Sequence, residues 1–184
     1  MLSHEFLPFQ NELRSSEVLL WSGRPRQGLV FRASDLFLVP FSLVWAGFVF
    51  FWELMALAGG VGCFGIWGIP FVLVGIYMTV GRFFVDFYIR RNTHYGLTNE
   101  RVIIISGFLR SETKSLNLRT ASDVTMSQRA NGKGTITFGA ISTHARMYQG
   151  MHWPGALYQM PPQFELIPDV KRVYGMILEV QKAQ

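Results

Sequence analysis

The chain has a single cysteine, Cys63, among 184 residues, so no intramolecular disulfide framework holds it together. Its four histidines, His4, His94, His144 and His152, stand beside no carboxylate or cysteine at metal-ligand spacing, and no metal is expected. Serine is plentiful, yet no Gly-x-Ser-x-Gly elbow is present. Gly132-Lys133-Gly134 lacks the spacing and the following helix of a phosphate loop and reads as a hairpin turn. A net charge of +5 raises the question of nucleic acid, but there is no helix-turn-helix pattern, zinc spacing or RNP-like motif. Catalysis, cofactors and nucleic-acid partners are therefore not expected.

The scarcity that decides most is of charge. From Leu36 to Val80, 45 residues carry one charged side chain, Glu53. A single helix of that length would run about 68 Å at 1.5 Å per residue. The hydrocarbon core of a bilayer is roughly 30 Å thick, so the stretch suits two crossings. A break stands where a hairpin needs one, at Gly59-Gly60-Val61-Gly62. Two membrane helices follow, near residues 36–57 and 62–81, joined by a short outer turn. A buried hairpin in a soluble protein is the plainer alternative. Against it, Leu36–Trp52 has no polar face, with Ser42 its one hydroxyl among 17 positions. Its eleven Leu, Val and Phe residues give roughly −3 to −7 kcal/mol on the insertion scale. A cleaved signal at Ala56-Leu57-Ala58 fits less well, because 35 mixed residues precede the apolar run.

Basic residues near the ends of spans set orientation. Arg24, Arg26 and Arg32 precede the first helix, and Arg82, Arg90 and Arg91 follow the second; the turn between carries none. Both termini are expected in the cytoplasm, with these six arginines against the anionic inner leaflet, each worth about 1 kcal/mol near the surface. Residues 82–184 hold 13 basic and 7 acidic side chains, which places the charge excess in the C-terminal part. Within the membrane, Gly68 and Gly75 lie on nearly one face and allow close helix approach, either to the first helix through Ala46 and Gly47 or to a second copy. Glu53 and Asp86 fall at opposite ends of the hairpin, too far apart for a proton relay.

After Arg91 the pattern turns to short alternating segments. Thr93–Leu97 and Arg101–Phe108 flank Thr98-Asn99-Glu100; Glu112–Leu118, Asp123–Gln128 and Thr135–Phe138 alternate in turn. Asn131-Gly132 supplies the hairpin pair that tolerates positive φ. Val170, Val173, Tyr174, Ile177 and Leu178 then mark a one-sided helix over about 168–183, begun by Pro168 in its first turn. Gly139–Pro162 shows no clear period, with a strand near Arg146–Gln149 one option and an exposed loop the other.

These residues resemble the bacterial pleckstrin-homology (PH-like) family of small membrane proteins. The resemblance rests on Glu17-Val-Leu-Leu-Trp21-Ser-Gly23-Arg-Pro25, Tyr95-Gly-Leu-Thr98-Asn-Glu-Arg101-Val-Ile, Ser115-Leu-Asn-Leu118, Gly132-Lys-Gly134-Thr-Ile-Thr-Phe138-Gly and Phe164-Glu-Leu-Ile-Pro-Asp169. It implies a membrane α-helical hairpin plus an α+β head: a PH-like antiparallel β-barrel capped by a C-terminal helix. The expected plan is a cytoplasmic N-terminal segment (1–34), the hairpin (35–89) and the PH-like domain (90–184). The implied role is a binding or scaffold module at the inner face of the cytoplasmic membrane, with a protein partner or self-association. A small oligomeric pore or transporter subunit is the alternative. Lipid-reading PH domains use a basic loop between their first two strands. Taken here as residues 98–101, that connection is short and holds Glu100 with Arg101 its one basic residue, so specific phosphoinositide binding is not expected.

Overall fold

The computed structural model describes residues 7–31, 35–60, 62–107, 111–121, 123–129, 132–140 and 161–183. They divide into two compact units, one holding residues 29–86 and the other residues 7–28, 87–140 and 161–183.

The first unit is the hairpin. Helix α1 (Asp35–Ala58) and helix α2 (Gly62–Ile76) flank the expected glycine turn, where Gly60 takes φ +69° and its N–H reaches the Leu57 carbonyl at 3.3 Å. α2 passes through a π turn (Tyr77–Gly81) into α3 (Arg82–Arg91). The helix thus outlasts its expected end at Gly81 by ten residues, because no glycine or proline interrupts Arg82–Arg91. Helix α1 and the continuous helix over Ile66–Arg91 are each long and apolar enough to cross a membrane. Their surfaces are not covered by the chain: Leu36, Phe37, Phe48, Phe51, Trp67 and Leu73 are all more than half exposed. A buried hairpin in a soluble core would hide those side chains.

The second unit is the head. Strands β1 (Leu19–Gly23), β2 (His94–Thr98), β3 (Arg101–Ser106) and β4 (Glu112–Asn117) form one antiparallel sheet in that order. Strands β5 (Val124–Gln128), β6 (Gly134–Phe138) and β7 (Gln163–Ile167) form another. Both sheets contribute to one core, built from Tyr95, Leu97, Val102, Ile104, Ile136, Phe138 and Phe164. Helix α4 (Val170–Ala183) closes it with Val170, Val173 and Ile177, three positions of the expected stripe. The expected barrel therefore takes the form of two sheets and a capping helix. Among the described residues no ladder joins β4 to β5 or β7 to β1.

Two expectations are corrected here, and one strand is added. The N-terminal segment is part of the head, not a separate piece: Leu19 pairs with Thr98 and Trp21 with Leu97. A bulge lies between those pairs, leaving Leu20 half-exposed, so Leu19 turns to one face of the sheet and Trp21 to the other. A strand also stands at Gln163–Ile167, directly after the segment that showed no period; Arg146–Gln149 lies outside the described residues. Finally, counting β1 moves the strand numbers by one. Residues 98–101 join β2 to β3, whereas β1 and β2 are joined by everything from Arg24 to Thr93, the hairpin included. The short Thr98–Arg101 connection is thus not the link between the first two strands of this sheet.

Part of the outer face of the first sheet is apolar as well. Ile103 and Ile105, which alternate with Val102 and Ile104, are covered by Phe9, with Leu13 and Leu19 beside them. Gly96 makes room for the ring: a Cβ there would stand 2.8 Å from Phe9 Cε1.

Candidate functional site

The polar residues of the Thr98–Arg101 motif are bound to the N-terminal segment. Thr98 Oγ1 accepts the Glu100 and Arg101 backbone N–H groups at 3.2 and 3.0 Å, which shapes the β2–β3 turn. The same hydroxyl donates to Glu17 Oε1 at 2.7 Å. Arg101 forks onto that carboxylate, Nε to Oε1 at 2.8 Å and Nη2 to Oε2 at 2.9 Å. Its Nη2 also reaches the Glu12 carbonyl at 2.7 Å and its Nη1 the Ser115 hydroxyl at 3.1 Å. The Glu17 side chain is fully buried. Burial alone would raise its carboxyl, but hydrogen bonds from Arg101, Thr98 and the Arg14 N–H outweigh that and hold it at about 2. Hydrogen bonding to Glu17 in turn raises the Arg101 guanidinium. These groups satisfy one another. They act as a lock between sequence segments, which leaves the motif with a structural task.

Arginines expected at the inner leaflet part into three groups. Arg24, Arg26 and Arg91 are exposed. Arg90 is buried, against expectation, and donates to the Arg26 carbonyl at 3.0 Å and the Gly28 carbonyl at 2.8 Å. The chain leaving β1 has no strand partner for those carbonyls, and a planar guanidinium satisfies both. Gln27 Nε2 returns a bond to the Arg90 carbonyl at 3.2 Å, so the two strands of chain that lead into and out of the hairpin are tied together. Arg82 pairs with Asp35 at 3.1 Å, joining the start of α1 to the start of α3, and its guanidinium lies 4.7 Å over the Phe83 ring. Arg32 lies outside the described residues.

Of the expected packing glycines, two meet the chain's own first helix. A Cβ on Gly75 would lie 3.5 Å from Ala46 Cα, and one on Gly68 would run into the Glu53 carboxylate and stand 3.0 Å from Trp52. Gly47 has nothing within 4 Å of such a Cβ. Gly68→Leu and Gly75→Leu should each lower the thermal aggregation midpoint in detergent, at a cost of about 1–3 kcal/mol for overpacking. Gly47→Leu should change it by less than about 0.5 kcal/mol.

Among the described residues no group of three or more His, Cys, Asp or Glu side chains is placed to hold a metal ion. No curated protein and no solved structure matches the chain. A family model described as Bacterial PH domain matches residues 36–177, from the first turn of α1 into α4. Phe9, Glu17 and β1 lie outside that span, although the sheet is incomplete without them. The match covers well over half of the sequence and takes in both hairpin helices, strands β2 to β7 and most of the capping helix, and on that ground the chain belongs to the bacterial PH domain family.

Proposed function

We propose that this chain is a membrane-anchored binding or scaffold module, its hairpin crossing the cytoplasmic membrane twice and its head standing at the inner face. The observation that carries this reading is the pairing of β1 with β2. One strand precedes the two apolar helices and the other follows them. Two hydrogen-bonded strands occupy one compartment, so an even number of crossings separates them, and two helices of sufficient length and hydropathy are available. The exposed Arg24, Arg26 and Arg91 support the cytoplasmic side, since basic residues flank the spans and the outer turn has none. The family supports binding without catalysis. A pore built on the glycine face has less support, because Gly68 and Gly75 face α1 of the same chain.

The test is single-cysteine labelling in a Cys63→Ala background, with a membrane-impermeant maleimide on intact spheroplasts. Gly60→Cys should label, and Ser16→Cys and Lys182→Cys should label only after lysis. Release of the chain by alkaline carbonate would overturn the anchor; labelling of Ser16→Cys from outside would overturn the topology.

A further inference from the structure

We infer that the head completes its fold only when the hairpin has inserted with both ends on one side, so that residues 7–23 serve as an insertion-dependent strap. This rests on the membrane reading above. The strap is made before the hairpin and its docking surface after it, with the whole of residues 24–93 between them. Four separate features of the head wait for it. Ile103 and Ile105 are covered by Phe9, Leu13 and Leu19. Strand β2 gains its second hydrogen-bonded neighbour only from β1. Trp21 packs on Phe164 with ring centroids 5.4 Å apart, reaching the main core. Glu17 fills the fork of Arg101 and takes the Thr98 hydroxyl.

A chain with its strap on the far side of the membrane keeps β2 as an open edge and an uncovered isoleucine pair beside it. Open edges and exposed apolar faces are where proteases and aggregation begin. The fold thus reports on its own insertion: a correctly threaded chain is sealed, and a wrongly threaded one is marked for removal. No extra sensor is needed, because the parity of crossings decides where the strap lies.

The experiment varies that parity. One apolar span, or two spans joined by a short polar loop, is inserted between Val30 and Asp35 of the full chain, and trypsin is added to membranes opened by freeze–thaw so that both faces are reached. With two added spans the strap returns to the head's side, and the head should remain as resistant as in the unaltered chain. With one, the head should be cleaved about tenfold faster or more, as expected when local opening becomes easy. Equal resistance of both insertions would show that the strap is dispensable and sink the inference. Equal sensitivity would show that parity does not govern the head, and sink it too. Carbonate extraction of the unaltered chain reports separately on the anchor, so a failure here is distinguishable from a failure of the membrane reading.

Discussion

Arg101→Ala will destabilise the head by about 3–5 kcal/mol, because it removes one partner of a buried pair and leaves the other charged and enclosed. The loss has identifiable parts. Glu17 gives up two hydrogen bonds of 2.8 and 2.9 Å, and the Glu12 carbonyl and Ser115 hydroxyl lose their donors. Thr98 and the Arg14 N–H remain on the carboxylate but cannot neutralise it. Hydrogen exchange of the β2 and β3 amides in detergent is the direct readout, and exchange should accelerate on the order of 100-fold or more if opening limits it. The double variant Glu17→Met with Arg101→Met should recover much of that loss, since apolar replacements for a buried pair are often near neutral. A single variant costing less than about 1 kcal/mol, or a double variant worse than the single, would show that the pair does not fasten the N-terminal segment.

The same carboxylate gives the head an acid limit. In the folded chain it titrates at about 2, against an ordinary value of 4.5, so the unfolded chain takes up the proton first as pH falls. Its contribution is whole above pH 4.5, declines below that and is gone once the pH passes about 2. At about 1.4 kcal/mol per pH unit of displacement, the amount at stake is on the order of 3 kcal/mol. Glu17→Gln should therefore flatten head stability across this window, measured as the urea midpoint at successive pH values. Retention of the full acid slope in Glu17→Gln would assign it to other carboxylates.

What the sequence discloses follows the range of the interactions. The hairpin, the five strands from β2 to β6 and α4 rest on local signals: apolar runs, period-two alternation and a one-sided helical stripe. Strand β1 escapes because its bulge breaks the period. Leu19 and Trp21, two apart, would share a face in a regular strand, yet they serve different cores. β7 carries the same disguise: three steps from Phe164 to Ile167 oppose two from Gly134 to Ile136, and Leu166 takes φ +51°. The adjacent Leu166 and Ile167 are both buried, so no period-two pattern shows in the sequence. Polar partners leave still less trace in the sequence. Glu17 and Arg101 stand 84 residues apart, and no spacing rule links them. Arg90 looks like a lipid-facing arginine at a helix end until the carbonyls of Arg26 and Gly28 come beside it.

Phe9→Ala should cost about 3–5 kcal/mol, as large as any single truncation in the core, although the residue lies far outside the matched family span. Its ring is fully buried and is the main cover over Ile103 and Ile105. Alanine leaves a cavity that cannot collapse easily, because the isoleucines are held in register by β2 and β4 on either side. The complementary change acts from below. Gly96→Ala brings a methyl group within 2.8 Å of Phe9 Cε1 and within 3.2 Å of Leu19 Cδ1, so the ring must move or the strap must lift. That overpacking should cost about 1–3 kcal/mol. The two changes share one volume and should not add: Phe9→Leu, by shrinking the ring, should suppress part of the Gly96→Ala defect. Urea midpoints of the two singles and the double close the cycle, with a coupling of about 0.5 kcal/mol or more expected for residues in contact. Strict additivity would mean that Phe9 does not sit over Gly96. The N-terminal segment would then be a passenger, and the outer face of the sheet would need another cover.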